Sequence, residues 1–233
     1  MDLGHGRLLR LKIELTAPLL GTSTTRFWNH PDLPGLFPRF LETLHGSARA
    51  TVPLMEAAVD ALRRREGDPL ALPLRRYFER HITDEADHDE WLLQDLESIG
   101  LPRQSLRRAA PPPIARMVGA QYYWIAHAHP VCLMGFFAVL EGQPPTAEHL
   151  DEVQQRTGLP ATAFRMLRHH ASEDPGHADE VFQVLDELPL EPWQVDLVGS
   201  SALETVSALH DVFEWLVDRA TPGPSPAAEA AGR

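Results

Sequence analysis

Cysteine is almost missing from this chain, with one residue, Cys132, in 233. A lone thiol excludes a disulfide framework and any thiolate metal cluster within the chain. Its apolar neighbours Val131, Leu133 and Met134 suit a small buried hydrophobe better than an activated nucleophile. Basic charge is also scarce: 21 Lys and Arg stand against 33 Asp and Glu, a formal net charge of -12. That balance argues against nucleic acid, whose phosphates need a basic footprint, and against an anionic membrane surface. No apolar run reaches the roughly 18 residues of a membrane span. The opening Met1–Gly6 lacks the charged-then-apolar build of a signal peptide. The expectation is a cytoplasmic protein without a membrane or nucleic-acid partner.

Strand signals are equally scarce, because Val and Ile are scattered and alternating runs bounded by turns do not occur. Helix-period stripes recur instead from about residue 36 to 219, punctuated by Pro and Gly. An irregular N-terminal segment with a short helix is expected to end near Trp28–Pro31. Long helices then follow over about 36–65 (interrupted near Pro53), 70–99, 114–141 (kinked at Pro130), 160–188 and 192–220, with a short one over about 146–156. At 43% hydrophobic residues the chain can bury one sizeable core. Residues 1–220 are therefore expected to form a single all-α bundle of about seven helices. Residues 221–233, rich in Pro, Ala, Gly and Ser, are expected to be a disordered tail.

One stripe stands out: Ala163, Leu167, His170, Asp174, His177, Val181, Val184. Steps of three and four residues place these on one helical face. The stripe is apolar at both ends and carries imidazole, carboxylate, imidazole in the middle. Burying three such groups in a row is costly unless something compensates their desolvation, and a metal is the simplest compensation. Upstream, Glu85-Ala86-Asp87-His88 offers a Glu-x-x-His pair within reach of one ion. Alone that pair is weak: Glu42 and His45 repeat it in a chain with 12 His. Lone carboxylates also interrupt apolar stripes at Glu56, beside Met55 and Val59, and at Glu141, after the run Val131–Leu140.

The order shifts the balance. Glu56, Glu85-x-x-His88, Glu141 and Asp174-x-x-His177 alternate a single acid with an acid-x-x-His pair. This is what a dinuclear carboxylate site in a helical bundle requires from four helices. Four carboxylates offset two divalent cations, and imidazoles supply neutral nitrogen ligands. His170 is one nitrogen more than the ferritin-like scheme needs.

That extra ligand carries a resemblance. The set His170-x-x-x-Asp174-x-x-His177, Glu141 and Glu85-x-x-His88 resembles the haem-oxygenase-like diiron oxidases, as do the stretches Tyr122-Tyr123-Trp124, His129-Pro130 and Asp174–Glu180. It extends over roughly residues 20–215 and implies a haem-oxygenase-like helical bundle. The resemblance implies one iron held by Glu56, His88 and His177. It places a second at Glu141, His170 and Asp174, with Glu85 bridging. It further implies two Fe(II) ions (Mn the alternative) and O2 as co-substrate, with no catalytic residue beyond the metal ligands. The substrate would be a small amino-acid-derived or fatty-acyl metabolite, free or carrier-bound, undergoing N-oxygenation, desaturation or oxidative C–C cleavage. An external electron donor fits such chemistry, and a homodimer is the default expectation. Two other readings stay open. One is a ferritin-like metal-binding or storage bundle. The other is a metal-free enzyme of the same fold, resembling thiaminase-type hydrolases or the cofactorless quinone-biosynthesis oxidase. Among these, the thiaminase-type members depend on a Cys nucleophile.

Pro175 and Gly176 interrupt the ligand stripe. A proline inside a helix costs about 3 kcal/mol and a glycine about 1 kcal/mol, so the helix that carries three candidate ligands is intrinsically weak there. Amide hydrogen exchange over residues 168–180 is expected to slow when Fe(II) is added. Equal protection with and without iron contradicts that coupling of metal to helix.

Overall fold

The computed structural model describes residues 4–106, 109–142 and 144–220, and gives only the backbone of Asp174 and Pro175. Among these residues there are nine α-helices and no strand. The helices are α1 (His5–Trp28), α2 (Leu33–Arg63), α3 (Ala71–Asp84), α4 (His88–Ser98), α5 (Pro112–His127), α6 (Cys132–Leu140), α7 (Ala147–Thr157), α8 (Arg165–Glu187) and α9 (Pro192–Val217). The all-α bundle expected from the periodicity is present. No described helix is long and apolar enough to cross a membrane. The tail expected over 221–233 lies outside the described residues.

The helix count exceeds seven because two expected helices are broken, and α1 is far longer than the short N-terminal helix expected. Pro18 and the run Gly21-Thr22-Ser23-Thr24-Thr25 hid α1, since these residues are poor helix formers. Its hydroxyls turn inward on the helix: Thr22 Oγ1 donates to the Pro18 carbonyl at 2.8 Å, and Ser23 Oγ and Thr24 Oγ1 donate to the Leu20 carbonyl, each at 3.0 Å. Packing against α8 and α9, through buried Leu9, Ile13 and Phe27, overrides the weak local preference.

The expected helix over 70–99 breaks between α3 and α4 at Glu85–Asp87. Asp87 takes a left-handed conformation, φ 67°, which reverses the chain direction locally and ends one helix before the next begins. The expected helix over 114–141 breaks likewise between α5 and α6, where Pro130 cannot continue the ladder. His129 stitches that break. Its Nδ1 accepts from the Val131 backbone N–H at 3.0 Å, so the proton sits on Nε2, which donates to Asp68 Oδ2 at 2.8 Å. Arg65 reaches across to the Ala128 carbonyl at 2.5 Å.

Helix α6 is the hydrophobic centre of the bundle, buried from Cys132 through Val139. Each fully buried Leu, Met or Phe there contributes about 1.5–3 kcal/mol. It lies against α9 so closely that a Cβ on Gly135 would stand 2.1 Å from the Val198 carbonyl oxygen. Only glycine permits this approach, and it seats Glu141, the residue that caps α6, deep in the bundle.

Helix α8 is capped from another helix. Asp95 on α4 is buried, and its Oδ2 accepts from the Met166 backbone N–H at 3.0 Å. Burial pushes the Asp95 carboxyl above the usual range. This contact, with the bonds from Arg165 to Gln94 and the Trp91 carbonyl, joins α4 to the first turn of α8, the two helices that carry His88 and His170. Asp95→Ala is expected to cost about 1–2 kcal/mol, a drop in Tm of several degrees by calorimetry. An unchanged Tm contradicts a capping role.

Candidate metal centre

The break after α3 builds the first part of the site. Glu85 caps α3, its N–H donating to the His81 carbonyl, and His88 opens α4. The tight turn between them brings His88 Nδ1 to 3.2 Å from Glu85 Oε2. From α8, His170 adds a third donor. The ligand atoms of Glu85, His88 and His170 all lie within 4.8 Å of one another. Glu85 and His88 are buried and His170 half-buried. Burial alone would push the Glu85 carboxyl up. The His88 hydrogen bond and the imidazoles of His170, His88 and His81 outweigh it, so Glu85 is held below the usual carboxylate range and is the anion a cation requires.

A second group adjoins it. His81 Nε2 lies 2.8 Å from Glu141 Oε1, both side chains being almost wholly buried. The His81 and His177 rings meet edge to face with centroids 5.3 Å apart. Burial lowers the His81 imidazole, but the Glu141 hydrogen bond and the charges of Glu141, Glu85 and Asp84 more than reverse it, and the net direction is upward. Tyr77 stacks on His81 at 5.6 Å, and Phe137 meets the same imidazole at 4.8 Å. Among the described residues, the Tyr77 hydroxyl and His177 Nδ1 are buried without a hydrogen-bond partner. Leaving such a group unpaired costs about 1–3 kcal/mol.

The structure thus gathers Glu85, His88 and His170 directly and sets Glu141 beside His81 and His177. Asp174 lies on α8 between His170 and His177, and its side chain is outside what the structure describes. Glu56 is exposed on α2. Its neighbours Leu54, Met55, Ala58 and Val59 take the buried face, which turns position 56 outward. His88 lies beside His170, their ring centroids 4.9 Å apart. Glu42 and His45 line a different cleft, with Arg39, Arg49 and Trp215.

The sequence reading missed His81. A signal was present, since positions 81, 85 and 88 step by four and three, as 170, 174 and 177 do. His81-x-x-x-Glu85-x-x-His88 therefore repeats the spacing of His170-x-x-x-Asp174-x-x-His177. Of the aromatics around the site, Trp91 packs on His88 at 4.9 Å and Phe137 on His81. Phe164 instead stacks on Phe37 in the core, and Tyr123 is 64% exposed. Arg165 and Arg168 are tied to neighbours, Arg165 to Gln94 and the Trp91 carbonyl and Arg168 to Asp151 and Gln154.

Two or three nitrogen and carboxylate donors converging in a buried place suit a divalent first-row metal. The donor set fits iron, with oxygen and imidazole ligands and no thiolate; a structural zinc site favours a closed, often thiolate-rich tetrahedron.

Comparison with known proteins agrees with this chemistry. The family model described as iron-containing redox enzyme matches residues 81–210, which span both groups of donors. A protein of unknown function with a haem-oxygenase-like fold from Shewanella denitrificans OS217 superposes with a TM-score of 0.75 at 16% identity, over 94% of each chain. A TenA homolog from Pseudomonas syringae pv. tomato superposes with a TM-score of 0.66 at 13% identity, over 88% of this chain and 92% of that one. These likenesses show a haem-oxygenase-like fold. No curated protein matches the chain.

The left-handed Asp87 is the hinge of the donor geometry. Glycine takes φ 67° freely, whereas a β-branched residue there costs about 1–2 kcal/mol. Asp87→Gly is expected to keep wild-type metal affinity, and Asp87→Val to lower both Tm and metal affinity, measured by calorimetry. Equal behaviour of the two variants contradicts the dependence of the site on this turn.

Proposed function

The chain belongs to the family of iron-containing redox enzymes, and from that premise we propose that it is a non-haem diiron, O2-dependent oxidase or oxygenase of a small metabolite. The observation that carries the reading is the buried convergence of Glu85, His88 and His170, with ligand atoms within 4.8 Å of one another. In this reading the three hold one Fe(II), and donors around Glu141, Asp174 and His177 hold a second. Two Fe(II) ions, when bound there, would supply electrons to O2, and the O2 so activated would supply the oxidising equivalents for the substrate.

The protein's own residues do the rest. Glu85, kept anionic by its imidazole neighbours, balances cationic charge in a place where water would otherwise do so. Trp91 and Phe137 wall the donors with aromatic surface and keep the surroundings dry, which strengthens every electrostatic contact inside. His88 is fixed by Glu85 on one side and by the rings of His169, at 5.0 Å, and His170, at 4.9 Å, on the other. The amino-acid-derived or fatty-acyl substrate classes are part of this proposal and rest on the resemblance in the ligand set.

The likeness to a TenA homolog supports a second reading, a metal-free enzyme of the same fold. A thiaminase-type version would need a reactive thiol. Cys132 is wholly buried in α6, and burial pushes its thiol up to about 12, so the thiolate is almost absent at neutral pH. That favours the iron reading.

Anaerobic loading with Fe(II), followed by metal analysis and rapid mixing with O2, tests the proposal. Two iron per chain and a transient visible absorbance within seconds are expected, and His88→Ala should lower the amplitude at least tenfold. A chain that retains no iron, or retains it but consumes no O2 with any substrate offered, overturns the reading.

A further inference from the structure

A second cleft opens where the first half of α2, the segment leading into α5 and the end of α9 meet. Arg39, Glu42, His45 and Arg49 line it from α2, residues 109–111 form another wall, and Trp215 and Arg219 close it. None of Glu85, His88 and His170 takes part. We propose that this cleft binds a dianionic phosphate monoester, held by Arg39, Arg49 and Arg219. The inference goes beyond the iron reading and does not depend on it.

Charge carries it. The chain has 33 acidic against 21 basic residues, so carboxylates are plentiful, and Arg26, Arg80, Arg103 and Arg116 each meet one. Arg39 and Arg219 meet none among the described residues. Arg39 Nη1 donates to the Arg219 carbonyl instead. Arg219 Nη1 donates to the Trp215 carbonyl at 3.4 Å, and its guanidinium lies 4.3 Å over the indole. These contacts steady both side chains at the cleft and leave each guanidinium most of its five N–H donors. With Arg49 the cleft gathers three fixed cations against the one carboxylate of Glu42. Burial and Arg49 hold the His45 imidazole below its ordinary value, so it is neutral at neutral pH. The described lining therefore carries a net charge of +2.

The geometry suits phosphate. A guanidinium fork matches two phosphate oxygens at once, which an ammonium cannot do. Residues 109–111 lead into the first turn of α5, the positive end of that helix dipole. Pro112 and Pro113 have no N–H to give there, so direct donation falls to the arginines. The cleft encloses about 430 Å3 out to its open mouth, the size of a small-ligand site. Thr43 is buried at the cleft, its hydroxyl turned back to the Arg39 carbonyl at 2.8 Å. A monocarboxylate leaves one positive charge unanswered, whereas a phosphate monoester answers both. Glu42 adds an acceptor for a hydroxyl on the organic part of the ester and repels ligands of higher negative charge.

A competing role for Arg39 and Arg219 is to cap the end of α9 and cover Trp215 without binding anything. Titration calorimetry of the full chain with glycerol 3-phosphate, at a physiological ionic strength of about 0.15 M, separates the two. Wild type is expected to bind with a Kd of about 1 mM or tighter, and acetate about tenfold more weakly. Arg39→Gln and Arg219→Gln, shown to be folded by circular dichroism melts, should each weaken binding about tenfold. Arg156→Gln should not, although it removes a guanidinium that likewise serves backbone carbonyls, those of Trp28 and His30. Glu42→Gln removes the one opposing charge and should tighten binding about threefold, a gain that a capping role does not produce and that needs no arginine variant to fold. Absence of binding by wild type, acetate binding as tightly as the ester, or unchanged affinity in the folded arginine variants or in Glu42→Gln overturns the proposal. An equal loss in Arg156→Gln overturns it as a general charge effect. A requirement for Fe(II) overturns it by placing the phosphate on the metal, and leaves the iron reading standing.

Discussion

Everything in this molecule turns on the burial of carboxylates and imidazoles opposite one another in an otherwise apolar bundle. Glu85, His81, His88 and Glu141 are each less than a tenth exposed. Taking such groups out of water costs several kcal/mol per charge unless partners replace the lost hydration. The replacements within the chain are only partial: His88 answers Glu85, and His81 answers Glu141, while His177 Nδ1 and the Tyr77 hydroxyl are left buried without a hydrogen-bond partner among the described residues. A core of Phe78, Phe137, Leu92 and Leu96 in the same helices would gain nothing from this arrangement by packing alone. In the proposed reading, cations held among these donors would offset that desolvation.

The fold reads as a scaffold for that arrangement. Helix α6 passes through the centre against α9 and delivers Glu141 at its end. The α3–α4 turn aims Glu85 and His88 at α8, and Asp95 on α4 caps the first turn of α8 so that the two donor-bearing helices share one register. His129 and Asp68 secure the other chain break, before α6. The breaks in long helices, at Asp87 and at Pro130, are thus the points at which donors change direction toward each other. Straight helices would have kept Glu85 and His88 on one continuous face and placed His88 farther along it.

Much of this was legible in the sequence, and the failures have identifiable causes. Helix periodicity gave the all-α bundle because the apolar stripes are strong from Leu36 onward. The Pro130 break was visible as a kink because proline cannot extend the hydrogen-bond ladder. The Asp87 break was not: the run Asp84–Glu90 contains neither Gly nor Pro, and a lone Asp in the left-handed region leaves no compositional trace. Helix α1 was hidden by Pro18 and hydroxyl residues whose weak propensity is overridden by contacts with α8 and α9, which a local reading does not see. The acid-x-x-His spacing is legible because position along a helix alone defines it, and of the expected donors Glu85, His88 and His170 come together. An acid on an apolar stripe is expected to face inward at Glu56, but Met55 beside it takes the buried face and Glu56 is exposed.

Anomalous diffraction at the iron edge from anaerobically loaded crystals tests the central claim most directly. The account predicts two peaks, one within bonding distance of Glu85, His88 and His170 and the other among the donors around Glu141, Asp174 and His177. Density at both places without anomalous signal, or iron bound elsewhere on the chain, would contradict it.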